Sequence, residues 1–311
     1  MAAAEATQPA RTLESMPSLA PLYGRAGFAA LPGSGLLGRL PLLPGGAREK
    51  DLPSERLRVE AVAAERDEVA RYCRVCGFTL RDTIPATYPH VLSFPLQMEL
   101  MSSGSFPFPL LGLVHIGNAI TRHRPVAIGE PLDFEVAALD LRPHPKGTAF
   151  TLLVEARAGG ELVWEERGTI LRRGAGEPDA EREPAPVEPP ADVPASAEWR
   201  LDGDLGRRYA AVSGDRNPIH IHPLTARAFG FPRPIAHGMW SKARCLAQLE
   251  GRIPDAFAVT VSFRKPIGLP GRIRFAAEPR AGGKTGFALR GPEPDDPPLH
   301  LAGELAPLAR G

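Results

Sequence analysis

Twenty-five consecutive residues, 174–198, read GAGEPDAEREPAPVEPPADVPASAE and hold six prolines, seven acidic residues and no leucine, isoleucine or aromatic side chain. A segment so poor in apolar surface cannot offset the entropy of its own ordering, so it reads as a linker. Whatever folds in this chain of 311 residues folds on either side of it. The division is then an arm, 1–52, rich in Gly and Pro and loop-like; a first block, 53–173; the linker, 174–198; and a second block, 199–311.

Periodicity fills both blocks. In the first, 57–64 is ambiguous between strand and helix, and 65–76 reads as a helix stopped by Gly77. Leu132-Asp-Phe-Glu-Val136 alternates apolar and acidic residues as a half-buried strand does, and strands follow at 150–154, 162–164 and 169–171. In the second, helices are expected at 205–212, 223–229 and 239–249, with Gly230 and Gly251 as stops. Residues 257–263 form a strand with large apolar odd positions, and further strands are expected near 272–278, 287–290 and 299–305.

The blocks echo each other. Arg71-Tyr72, Val75 and Gly77 match Arg208-Tyr209, Val212 and Gly214 at an offset of 137. Pro125-Val-Ala-Ile128 and Leu132-Asp-Phe134 match Pro266-Ile-Gly-Leu269 and Ile273-Arg-Phe275 at 141, a net difference of four residues. One fold used twice is the expectation.

Charge and cysteine content exclude several classes. Lys+Arg number 37 against 36 Asp+Glu, so no basic excess points to a nucleic acid or an anionic membrane. Three cysteines, 73, 76 and 245, cannot build a disulfide framework. Cys73-Arg-Val-Cys76 lacks the second ligand pair of a zinc site, and with Val69 and Tyr72 it falls on one helical face. The N-terminus has no basic segment followed by an apolar core, and the apolar stretch 28–44 is broken by Pro32, Gly33, Gly35, Gly38, Arg39 and Pro41. A cytoplasmic protein without a membrane partner is the expectation. Ala281-Gly-Gly-Lys-Thr285 fails as a phosphate loop because Glu278 stands where the first Gly is required, and it reads as a hairpin turn.

Chemistry concentrates in Ser213-Gly-Asp-Arg-Asn-Pro-Ile-His220. Pro218 fixes its own φ and biases Asn217 to extended backbone, so Asp215, Asn217 and His220 can be held close on a rigid loop. A carboxylate beside an imidazole is an acid–base pair, although Ser-Gly-Asp and Asn-Pro are also ordinary turn sequences. Gly238, at the start of the 239–249 helix, would present an unblocked backbone N–H with the helix dipole behind it.

The stretch GDRNPIHIHPLTARAFGFPRPIAHGM resembles the hydratase 2 motif of the MaoC-like, (R)-specific enoyl-CoA hydratases and dehydratases, matching over residues 207–251. Ser213, Gly214, Asp215, Asn217, Pro218, Ile219, His220, Gly230, Phe231, Pro234, Ile235, His237 and Gly238 carry the match. The resemblance implies an α+β double hotdog, two antiparallel sheets each wrapped around a helix, with a degenerate first repeat whose helix would span 95–101. It implies that Asp215 and His220 activate water, that Asn217 orients them, and that the Gly238 N–H forms the oxyanion hole. His237 would line the site or fix its loop. Arg264 and Lys265 either meet substrate phosphates or form a solvated strand end.

No cofactor and no metal is implied, CoA or acyl carrier protein being part of the substrate. The expected reaction is reversible hydration of trans-2-enoyl thioesters to (R)-3-hydroxyacyl thioesters, on CoA esters first. A carrier-protein dehydratase, a thioesterase on the same scaffold and a non-catalytic acyl-binding protein are the alternatives. By analogy with the fold, the expected assembly is a homodimer.

Overall fold

The computed structural model describes residues 10–29 and 51–308, except 111, 183, 192 and 294. Strand β1 (Ala10–Thr12) and helix α1 (Leu19–Ala29) precede β2 (Arg56–Val62), α2 (Arg66–Cys76) and α3 (Tyr88–Met101). Then come β3 (Leu113–Arg122), β4 (Leu132–His144), β5 (Gly147–Ala158) and β6 (Glu161–Arg173). After the linker follow β7 (Ala197–Leu201), α4 (Leu205–Ser213), α5 (Pro218–Ile221), α6 (Pro223–Ala228) and α7 (Gly238–Leu249). Four strands close the chain: β8 (Phe257–Phe263), β9 (Gly271–Pro279), β10 (Thr285–Arg290) and β11 (Leu299–Pro307).

These strands form one continuous sheet in the order β1-β2-β4-β5-β6-β3-β8-β11-β10-β9-β7, rather than two sheets. The join is β3 against β8, antiparallel from Gly117↔Ser262 to Arg122↔Phe257. Each half would otherwise leave a row of unpaired backbone groups at that edge, and pairing the two edges removes both. Outward from the seam the halves run β3-β6-β5-β4-β2 and β8-β11-β10-β9-β7, strand for strand the same.

The sequence echoes fall on equivalent places. Gly77 and Gly214 both cap their helices in the left-handed conformation, at φ 86° and 76°. Tyr72 and Tyr209, both buried, meet between the halves with ring centroids 6.3 Å apart. The isolated bridges Thr83↔Ala127 and Ile235↔Gly268 are counterparts. The first half therefore runs six residues from glycine to bridge, and the second runs twenty-one. The net four-residue difference in the sequence is thus a fifteen-residue excess here, offset by eleven fewer residues between the bridging segments. Those extra residues hold Asp215–His220, α5 and α6, so Asp215 and His220 have no counterpart in the first half.

Helices α3 and α7 are the central helices. Met239, Ala243 and Leu246 of α7 are buried at helical spacing, and β8 turns Phe257, Val259 and Val261 inward, each contributing about 2 kcal/mol on burial. Helix α3 begins at Tyr88 rather than Pro95, with Pro89 in its first turn and Pro95 in its interior. The arm is not wholly loop-like: β1 pairs in parallel with β2, and Leu22 of α1 packs with Phe94 and Met98 of α3.

The linker is pinned rather than free. Val187 N donates to Ser262 Oγ, and Arg264, Arg280 and Arg290 donate to the carbonyls of Val187, Glu188 and Pro190. Its last two residues already belong to β7. All three cysteines are buried thiols, and burial pushes Cys73 up to about 11. No helix among the described residues is long and apolar enough to cross a membrane.

Candidate active site

The segment after α4 is a relay of local caps. Ser213 Oγ accepts from Asp215 N at 3.2 Å, Asp215 Oδ1 accepts from Asn217 N at 3.0 Å, and Asn217 Oδ1 accepts from Ile219 N at 3.4 Å. Asn217 is thus the N-cap of α5, with Pro218 at its first position, which is why Asn-Pro stands there. Thr225 Oγ1 ties the next turn back to the Pro218 carbonyl at 2.7 Å.

The Pro-Ile-Ala-His segment, 234–237, closes the site from the other side. Ile235 N donates to Ile219 O, and His220 Nδ1 donates to Ile235 O at 2.7 Å. That second bond sets the tautomer, leaving the lone pair on Nε2. His237 lies face to face with His220, centroids 3.7 Å apart, and its Nε2 donates to the Asp215 carbonyl at 3.0 Å. Tyr209 backs His237 at 4.8 Å. His237 accordingly fixes the loop, while His222, an exposed residue, caps α6 and does not line the cavity.

Burial lowers His220 and lowers His237 to about 3, His237 further depressed by His220, so both imidazoles are neutral near pH 7. For Asp215 burial acts upward, but His237, His220 and the Asn217 N–H outweigh it and the carboxyl lies below its usual value. Asp215, His220 and His237 place ligand-type atoms within 4.8 Å of one another. His237 Nε2 already donates to a carbonyl, and its Nδ1 is buried without a partner among the described residues.

Gly238 opens α7, with His237 as N-cap. Its N–H has no backbone partner among the described residues, and a Cβ here would stand 3.2 Å from the Phe263 ring. Asp215, Asn217, His220, His237 and Gly238 all line one cavity of about 1570 Å³, as do Arg264 and Lys265. Arg264 donates to Val187 O, which leaves Lys265 the exposed cation of the pair.

Tyr23 of α1 also reaches this loop. Its hydroxyl donates to Gly214 O at 2.9 Å and accepts from Arg216 N at 2.6 Å, bracketing Asp215 from both sides. An isolated tyrosine in an arm without periodicity gave no signal of this contact.

His237 makes stability pH-dependent. Unfolded, its ring takes a proton near 6.5; folded, only near 3. Its contribution is complete above pH 6.5 and drains as the pH falls toward 3. Melting temperature followed from pH 7 to 4 should fall less steeply for His237→Gln than for the parent, and parallel curves would refute this account.

A double hotdog whose second half carries the Asp215–His220 loop is the class these features define. Residues 185–287 match the family model described as MaoC like domain. The 3-hydroxyacyl-thioester dehydratase X of Mycobacterium tuberculosis is 38% identical over 233 residues, 75% of this chain and 82% of that protein. The crystal structure of HtdX from the same organism superposes with a TM-score of 0.71 at 34% identity, covering 81% of this chain and 100% of that one. A MaoC-like dehydratase from Phytophthora capsici, at 21% identity and a TM-score of 0.68 over 83% of this chain and 96% of that one, shares the fold. The chain belongs to the MaoC-like dehydratase family.

Proposed function

We propose that the protein is a hydro-lyase that interconverts trans-2-enoyl and (R)-3-hydroxyacyl thioesters. The observation that supports this best is the convergence on one cavity of the Asp215 carboxylate, the neutral His220 and the Gly238 N–H, which has no partner among the described residues. In hydration, Asp215 and His220 hold a water and withdraw a proton as its oxygen bonds to C3. The thioester oxygen gathers negative charge against the Gly238 N–H at the positive end of α7. A proton then goes to C2, and dehydration is the reverse. Asn217 shapes the loop through its own caps.

The acyl thioester is carried by CoA on this reading. Lys146, Arg173, Arg182 and Lys265 also line the cavity, and such a rim suits an acidic carrier protein as a second reading. The experiment follows conjugated enoyl-thioester absorbance with short, medium and long 2-enoyl-CoAs and the matching carrier-protein esters. Turnover giving an (R)-3-hydroxy product supports the reading. A folded protein inactive on every ester overturns it.

Tyr23→Phe keeps the ring against α3 and removes only the bracket around Asp215. It should lower kcat about tenfold with KM and melting temperature nearly unchanged, since a loop misplaced by under an ångström loses its near-attack geometry. An unchanged kcat would make the arm a structural strap alone.

A further inference from the structure

Several buried polar groups of the first half have no part in this chemistry. Glu166 is 2% exposed, and its carboxylate accepts from His90 Nδ1 at 2.9 Å and from Asn118 Nδ2. Asn118 Oδ1 accepts from Lys242 Nζ of α7, itself fully buried, and Asn118 Nδ2 lies 3.4 Å from His115 Nε2. Lys242 also donates to the carbonyls of Asn118 and Val259, at 3.2 Å each.

The fold does not require this network. Ala119 pairs with Thr260 at the centre of the seam, which makes Asn118 the counterpart of Val259 and Ile120 the counterpart of Val261. Ile120 faces Glu166, and Val261 faces Gly303, so Glu166 stands where the second half has glycine. The same sheet positions are filled without charge in one half and by buried polar groups in the other, at several kcal/mol of desolvation per ion.

The open ends of the network face the cavity. His90 donates through Nδ1 and keeps Nε2 without a partner among the described residues, and it lines the cavity. Gln97, 4% exposed and also lining the cavity, donates through Nε2 to Ser93 Oγ at 2.9 Å and leaves Oε1 without a partner among those residues. The two are seven residues apart on α3, two turns, so their acceptors stand on one face about 10 Å apart. Phe94, Met98 and Met101 of the same helix line the cavity beside them. The wall is hydrocarbon-like, interrupted by two acceptors.

We propose that this wall of the first half is a recognition site for a hydroxyl group carried on the acyl chain, with His90 Nε2 and Gln97 Oε1 as its acceptors. The inference rests on the cavity being the acyl-thioester site. An uncharged donor fits because Lys242 disfavours a cation beside the network and Glu166 disfavours an anion. Glu166 is the positioning residue that holds His90, and Asn118 in turn holds Glu166. The substrates selected are hydroxylated acyl thioesters, so the reaction that supplies them is a hydroxylation or a ketone reduction of the acyl chain.

The test uses the full chain and saturated ligands, so it does not depend on turnover. Decanoyl-CoA and hydroxydecanoyl-CoA isomers, the hydroxyl moved along the distal half of the chain, are titrated calorimetrically. At least one isomer should bind about tenfold tighter than decanoyl-CoA, the worth of one well-made hydrogen bond. His90→Phe and, separately, the near-isosteric Gln97→Met should each reduce that preference. Equal affinity across the ligand series overturns the proposal from the parent protein alone, whether or not a variant folds. If the variants weaken decanoyl-CoA as much as the hydroxylated ligand, the acceptors serve the pantetheine amides and the assignment to the acyl chain fails. Turnover of a plain 2-enoyl-CoA is measured beside these titrations. Its absence counts against the hydro-lyase reading and leaves the affinity ratios readable.

Discussion

Asp215→Asn and His220→Ala should each lower turnover of 2-enoyl thioesters by at least about 100-fold, the range in which positioned acid–base groups contribute. Asparagine at 215 keeps an oxygen for the Asn217 N–H, so the cap relay survives while the ionised carboxylate is lost. Alanine at 220 removes Nε2 and also the donor to the Ile235 carbonyl, so part of its effect is on loop order. The double variant should be no slower than about threefold below the worse single one, because the two groups act on one water and their losses do not add. With His220 lowered by burial, the acid limb of kcat/KM should lie below pH 6.5 in the parent. Steady-state rates of the four proteins, with melting curves beside them, decide the matter. Turnover of Asp215→Asn within threefold of the parent would remove the carboxylate from the chemistry.

The second half was legible because each device there is local. Gly214, Asn217 and Pro218 write a cap, a turn and a helix start into adjacent residues, and β8 alternates cleanly because one face meets the core. Strand β3 was illegible for the opposite reason. It lies mid-sheet between β6 and β8, and it carries Asn118 inward where a strand pattern asks for an apolar residue. Its partners lie far away in sequence, at Glu166 and Lys242, so no window contains the explanation. No motif in the sequence ties His90 or His115 to a site, and the fold brings both to the cavity wall. The interior Pro95 marked a false helix start because proline is ordinarily confined to the first turn. Tyr23 meets its loop across 191 residues of chain.

Gly206→Ala should abolish most activity and destabilise the fold together, although residue 206 touches no substrate. Gly206 is a buried residue of α4, and a Cβ there would stand 1.9 Å from the His220 carbonyl oxygen and 3.0 Å from its carbon. Both are backbone atoms, so no side chain can rotate away, and relief requires α5 to move as a body. That helix is held by the Asn217 cap, by Ile235 N to Ile219 O and by Thr225 to Pro218, so displacement strains all three. The His220 ring would leave the Ile235 carbonyl that sets its tautomer. Forced overpacking costs about 1–3 kcal/mol, and an imidazole displaced by an ångström costs about 100-fold in rate. Helix propensity argues the other way, since alanine is the better helix former by about 1 kcal/mol, so a gain in stability would show that contact with α5 is not close. Melting temperature and kcat measured on one preparation separate the outcomes. Both falling supports the packing of α4 on the Asn217–His220 turn, whereas a stabilised, fully active variant would show that the turn is not held by α4 at all.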